Sequence, residues 1–100
     1  MNIEIKESNG GYFAILSGWL DTHVATEFLE ELKTLEEHAD KAFELDCGKL
    51  EYICSLGLRG LLKLQKLSVA KGGTLVLTHV NDEIQKILTL TGFIKLFNFR

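Results

Sequence analysis

Within Tyr52-Ile53-Cys54-Ser55-Leu56-Gly57-Leu58-Arg59-Gly60-Leu61-Leu62, one hydroxyl sits where chemistry is plausible. Ser55 lies where an apolar, strand-like run gives way to a helical pattern. First-turn amides of a helix lack internal partners, and the macrodipole leaves that end roughly half a unit charge positive. A serine oxygen there serves as a simple cap, or it carries a phosphate that the helix end partly neutralises. The first role makes the chain a scaffold and the second makes it a switch.

Other chemistry is scarce. Cys47 and Cys54 are too few for a zinc site, and no Cys-x-x-Cys or His-x-x-x-His spacing accompanies them. Both lie in or beside apolar runs, so reduced, buried thiols of a cytosolic protein are expected. His23, His38 and His79 are far apart in sequence, on different predicted loops and helix ends. Neither a nucleophile-elbow motif nor a glycine-rich nucleotide fingerprint occurs. Paired carboxylates such as Glu30-Glu31 are ordinary helix-surface neighbours. The expectation is a binding module rather than an enzyme, with no cofactor and no metal.

The bulk properties agree with a soluble domain. One hundred residues, 46% apolar and 25% charged, read as one domain spanning 1–100. No run approaches the ~20 apolar residues of a membrane span, and the start has no signal-peptide pattern, so a cytoplasmic location without membrane insertion is expected. The net charge of −3 hides an asymmetry. Residues 1–50 hold eleven acidic and four basic side chains, a balance of −7; residues 51–100 hold three and seven, a balance of +4. The basic residues are few and not interleaved with aromatics, which argues against nucleic acid.

The elements that must position Ser55 follow from periodicity. Ile3 and Ile5 alternate with Glu4 and Lys6, and Tyr12 to Leu16 form a second apolar run beyond Ser8-Asn9-Gly10-Gly11. Together they read as a hairpin, which Gly18-Trp19-Leu20-Asp21 then interrupts. Asp21 or Thr22 caps a first helix with the stripe Val24, Phe28, Leu32 and Leu35, closed by Asp40 and Lys41. Ala42 to Cys47 reads as a third strand and Gly48-Lys49 as a turn. A second helix runs from about Ser55 to Ala70, its wide apolar face made by Leu58, Leu61, Leu62, Leu64, Leu67 and Val69. Lys71-Gly72-Gly73 ends it, and Thr74 to Thr78 is a fourth strand. Asn81 or Asp82 caps a short third helix through Ile84, Ile87 and Leu88, stopped at Gly92, with Leu96 to Phe99 as a last short strand. Strands alternating with helices after a hairpin imply an α/β fold with a mixed sheet.

Several local patterns carry two readings each. Arg59, Lys63 and Lys66 form a basic stripe opposite the apolar face, suited to plain solvation or to docking an acidic partner or phosphate. Trp19 is either an exposed aromatic in a partner-facing loop, Trp19 to Thr22, or a lid on one end of the core. Gly57 allows close packing of the helix start or leaves room for a partner's loop. Cys54 is a small buried residue or a redox sensor.

Five segments carry a family resemblance: Leu16 to Asp21, Phe43 to Cys47, Ile53 to Leu58, Lys71 to Leu75, and Ile87 to Phe97. In this order and at these separations, the chain resembles a STAS domain, the fold of bacterial anti-sigma factor antagonists and of sulfate-transporter cytoplasmic tails. The resemblance covers nearly the whole chain. It implies a STAS-like (SpoIIAA-like) fold, a mixed four- to five-stranded sheet with an N-terminal hairpin and three to four helices packed on it. It also implies a working motif of aspartate, phosphoacceptor serine, a second small hydroxyl residue and glycine. Ser55 falls on the phosphoacceptor position and Gly57 on the glycine, while Cys54 replaces the aspartate and Leu56 the second hydroxyl residue.

The function so implied is a partner switch. An unmodified antagonist binds an anti-sigma factor of the serine-kinase type and frees a sigma factor. Phosphorylation of Ser55 releases the antagonist, and a phosphatase resets it. The expected contact face comprises Trp19, Asp21, Thr22, Cys54, Ser55, Leu56, Gly57 and Arg59, on a monomer or weak dimer. The loss of the aspartate at Cys54 favours an alternative, a STAS adaptor in a transporter or signalling assembly that is not phosphorylated.

Overall fold

A computed structural model describes residues 3–100; Met1 and Asn2, at the start whose signal-peptide pattern was considered above, lie outside the described residues. The elements run β1 (Ile3–Ser8), β2 (Gly11–Leu20), α1 (Thr22–Glu36), β3 (Ala42–Ile53), α2 (Ser55–Ala70), β4 (Thr74–Thr78), α3 (Asp82–Thr91), a short 3₁₀ turn (Phe93–Lys95) and β5 (Asn98–Phe99). The strands lie side by side in chain order, β1 antiparallel to β2 and the remaining neighbours parallel. Asn9 and Gly10 both take left-handed backbone (φ 49° and 77°), the primed turn whose twist suits a two-residue hairpin.

Parallel neighbours joined by right-handed crossovers place their helices on one face of the sheet. The burial pattern agrees. Ala14, Leu16, Phe43, Leu45, Leu75 and Leu77 are buried in one cluster with Phe28, Leu32, Leu58, Leu61, Ile84 and Leu88. The intervening Phe13, Ile15, Glu44, Asp46 and Val76 are only half-buried. Helices α1 and α2 approach closely at Gly60, where an added Cβ would run into Leu29 and lie 3.1 Å from Leu32 Cδ1.

Four expectations need correction. The break at Gly18 and the turn at Gly48-Lys49 are absent, because β2 continues to Leu20 and β3 to Ile53. The pairing passes from Ile15↔Asp46 to Ser17↔Lys49 and from Gly18↔Leu50 to Trp19↔Tyr52, so β3 carries two extra residues as bulges. Gly18 absorbs the distortion with φ 77°. The Asn81 side chain spans the bulge, donating to the carbonyls of Cys47 (3.3 Å) and Leu50 (2.8 Å). Asp46 Oδ1 accepts from the Gly48 amide at 2.8 Å.

Helix α1 ends at Glu36 rather than near Asp40. The chain bends there, which buries Ala39 and offers the Lys41 carbonyl to the Thr74 amide at 3.2 Å. Val69 is not a core residue: it is 70% exposed, and Ser68 takes the inward position one residue earlier. Each step of a helix turns by about 100°, so the two neighbours face different surroundings.

Candidate functional site

The bulges deliver the ends of β2 and β3 to the same level. Leu20 pairs with Ile53, and the Cys54 amide donates to the Leu20 carbonyl at 2.9 Å. The starts of α1 and α2 therefore lie side by side beyond the carboxyl ends of adjacent parallel strands, where open α/β sheets ordinarily place their sites. At α1, Asp21 is the cap, its carboxylate accepting from the His23 amide at 3.0 Å.

At α2 the cap position is Cys54, in extended backbone, and no side chain bonds the helix end. Ser55 is the first helical residue and exposed, so it is not the cap the sequence allowed it to be. No acidic residue occupies the first turn. A thiol is a poor substitute for the oxygen acceptors preferred at this position. The first-turn amides of α2 are thus left to water or to an incoming anion, with a hydroxyl standing among them.

Beside this helix end lies an aromatic pair. Trp19 is 56% exposed and stacks on Tyr52, with ring centroids 4.6 Å apart and 21° between planes. Trp19 lies on a strand and outside the core, rather than in a loop or as a lid. Leu56, 39% exposed, is a further surface apolar residue. Thr22 and Arg59 are exposed and Asp21 is half-buried.

Cys54 and Gly57 are buried and support this surface from beneath. A Cβ on Gly57 would sit 3.0 Å from Ile53 Cγ1, so its small size lets the helix start press onto the end of β3. Tyr52 was not singled out from the sequence. An aromatic closing a strand was visible, but the bulge that sets it opposite Trp19 was not.

Cys47, His38 and His79 lie away from this surface, whereas Cys54 lies beneath it and His23 in the first turn of α1. Both cysteines are free and buried. Burial, with the Asp46 charge adding, pushes the Cys47 thiol up to about 12, so it stays protonated at neutral pH. His38 lies against Tyr12, and His79 faces Asp46 at 3.3 Å. Among the described residues, no three His, Cys, Asp or Glu side chains converge as metal ligands, and no helix is long and apolar enough to cross a membrane.

Fold and site define a small α/β module organised around one open helix start. Residues 15–98 match the family model described as Mlab, STAS domain, and the chain belongs to the STAS-domain family. The putative anti-sigma factor antagonist BtrV of Bordetella bronchiseptica is 28% identical over 97 residues, which cover 97% of this chain and 84% of that relative. An anti-sigma factor antagonist from Mycobacterium paratuberculosis has the same fold, with a TM-score of 0.83 at 18% identity over 97% of this chain and 82% of that one. The Bacillus protein SpoIIAA, solved unphosphorylated and phosphorylated, gives TM-scores of 0.79 and 0.72 at 16% and 15% identity. Each match spans 98% of this chain, and 87% and 90% of SpoIIAA respectively.

Proposed function

We propose that this chain is an anti-sigma factor antagonist controlled at Ser55. With Ser55 bare it binds an anti-sigma factor of the serine-kinase type and frees a sigma factor; phosphorylation breaks the complex, and a phosphatase restores it. The observation that carries this reading is an exposed hydroxyl on an uncapped helix start, at the same sheet end as the exposed Trp19 stacked on half-buried Tyr52. The relatives named as antagonists, and a structural neighbour solved in both phosphorylation states, support it.

The energetics suit a switch. A phosphoserine carries about −1.5 to −2 charges at neutral pH. At a helix start the dipole favours that charge by about 0.3–1 kcal/mol, so the domain remains folded. Within a protein interface the same charge lacks a partner and costs several kcal/mol. The aromatic pair is the sort of rigid anchor that concentrates binding energy.

Incubation with the cognate kinase and ATP adds one phosphate to the wild type and none to Ser55→Ala, as read by intact mass. An unmodified wild-type mass overturns the phosphorylation step. Cys54 in place of the family's aspartate keeps a second reading, an unphosphorylated adaptor. In that case the partner binds Ser55→Asp as tightly as wild type.

A further inference from the structure

The outward side of α2 combines cations with aliphatic side chains. At about 100° per residue, Ser55, Arg59, Leu62, Lys66 and Val69 fall within an arc of about 80°. Their spacing of four, three, four and three is the seam by which one helix packs along another. Val69 is 70% exposed on this arc and Leu62 half-buried. A depression of about 380 Å³ is lined by Arg59, Leu62, Lys63, Lys66 and Leu67. Lys63 is paired with Glu36 of α1 at 3.4 Å. Arg59 and Lys66 have no acidic partner among the described residues.

We propose that this seam docks an acidic amphipathic helix of a partner protein, apolar ridge on Leu62 and Val69, carboxylates toward Arg59 and Lys66, with Ser55 at the seam's head. This deepens the reading of Ser55 and rests on it for the identity of the partner. Charge complementarity selects the occupant. The unpaired cations call for acid, and two aliphatic side chains at helical spacing call for an apolar ridge between the acids.

A second copy of this chain offers no such helix. The exposed positions of α1 include Thr26, Glu27, Glu30, Lys33 and Thr34, with no apolar ridge. On α3 the exposed Leu90 has Lys86 one turn before it. A phosphate on Ser55 would repel acids entering the seam. It would also draw the Arg59 guanidinium, one turn along the same face, away from them.

The probe is a short helical peptide with leucines three and four residues apart flanked by glutamates, titrated into the ¹⁵N-labelled full chain. Expected are shifts on the outer face of α2, weakened about tenfold or more by Lys66→Glu or by a phosphoserine installed at 55. Val69→Ser, an exposed change that leaves the core intact, also weakens binding, and a lysine-flanked peptide produces no shifts. No binding, or shifts elsewhere, overturns the proposal. So does a seam that responds to anionic vesicles and not to the peptide, or whose signals move with protein concentration alone.

An anti-sigma factor that binds Lys66→Glu and Val69→Ser as tightly as wild type removes the seam and leaves the Ser55 reading standing. A Ser55 that accepts no phosphate, with the peptide still held on α2, does the reverse.

Discussion

Helices α2 and α3 both begin just past the end of a parallel strand, yet their starts are finished in opposite ways. Asn81 caps α3, accepting from the Ile84 amide at 2.9 Å while its Nδ2 holds two carbonyls of the β3 bulge. Asp82 and Glu83 add negative charge in the first turn of α3. At α2 the cap residue is Cys54, no side chain bonds the amides, and no acid is present. One helix start is closed by the chain's own groups, and the other is open to a charge from outside. A modification at the open end changes binding without dismantling the fold, whereas disturbing the closed end damages the fold itself.

The contrast is tested most strongly by placing charge at the open end. Phosphorylated Ser55, or Ser55→Asp as its weaker mimic, should lose the anti-sigma factor by several kcal/mol in calorimetry. The midpoint of urea unfolding should move by less than about 1 kcal/mol equivalent, and upward. A protein that unfolds on phosphorylation would break the comparison.

Next in size is Asn81→Ala at the closed end. It removes a cap and leaves two bulge carbonyls short of a donor, an expected loss of about 2–4 kcal/mol in urea unfolding. The same change should speed alkylation of Cys47, whose carbonyl Asn81 holds. That thiol also ties stability to pH. Its folded value is raised from 9.0 to about 12, so its contribution is complete below pH 9 and is lost as pH climbs from 9 toward 12. Cys47→Ala should flatten that decline.

The smallest effect is expected from supplying the missing acceptor. Cys54→Ser should raise stability by about 0.5–1 kcal/mol by capping α2. No gain in thermal unfolding would mean that the end is already satisfied.

Much of the fold was legible in local pattern. The hairpin turn followed from Asn9-Gly10, the start of α2 from the change of period at Ser55, and the end of α3 from Gly92. The site was legible as a single position, Ser55, beside a loop that proved to be strand. The sequence read Gly48-Lys49 as a turn because glycine beside lysine after an apolar run favours one, and nothing nearby announces the Asn81 side chain thirty-odd residues on.

Residue type and spacing alone determined the order and type of the elements, but not where β2, α1 and β3 end, since those preferences act only between neighbours along the chain. The tertiary structure alone decided that β3 bulges, that Tyr52 stacks on Trp19, that Cys54 takes the cap position and that Val69 points outward. Each of these depends on the register between distant segments and on which face of an element its neighbours cover, and neither is encoded in a local window.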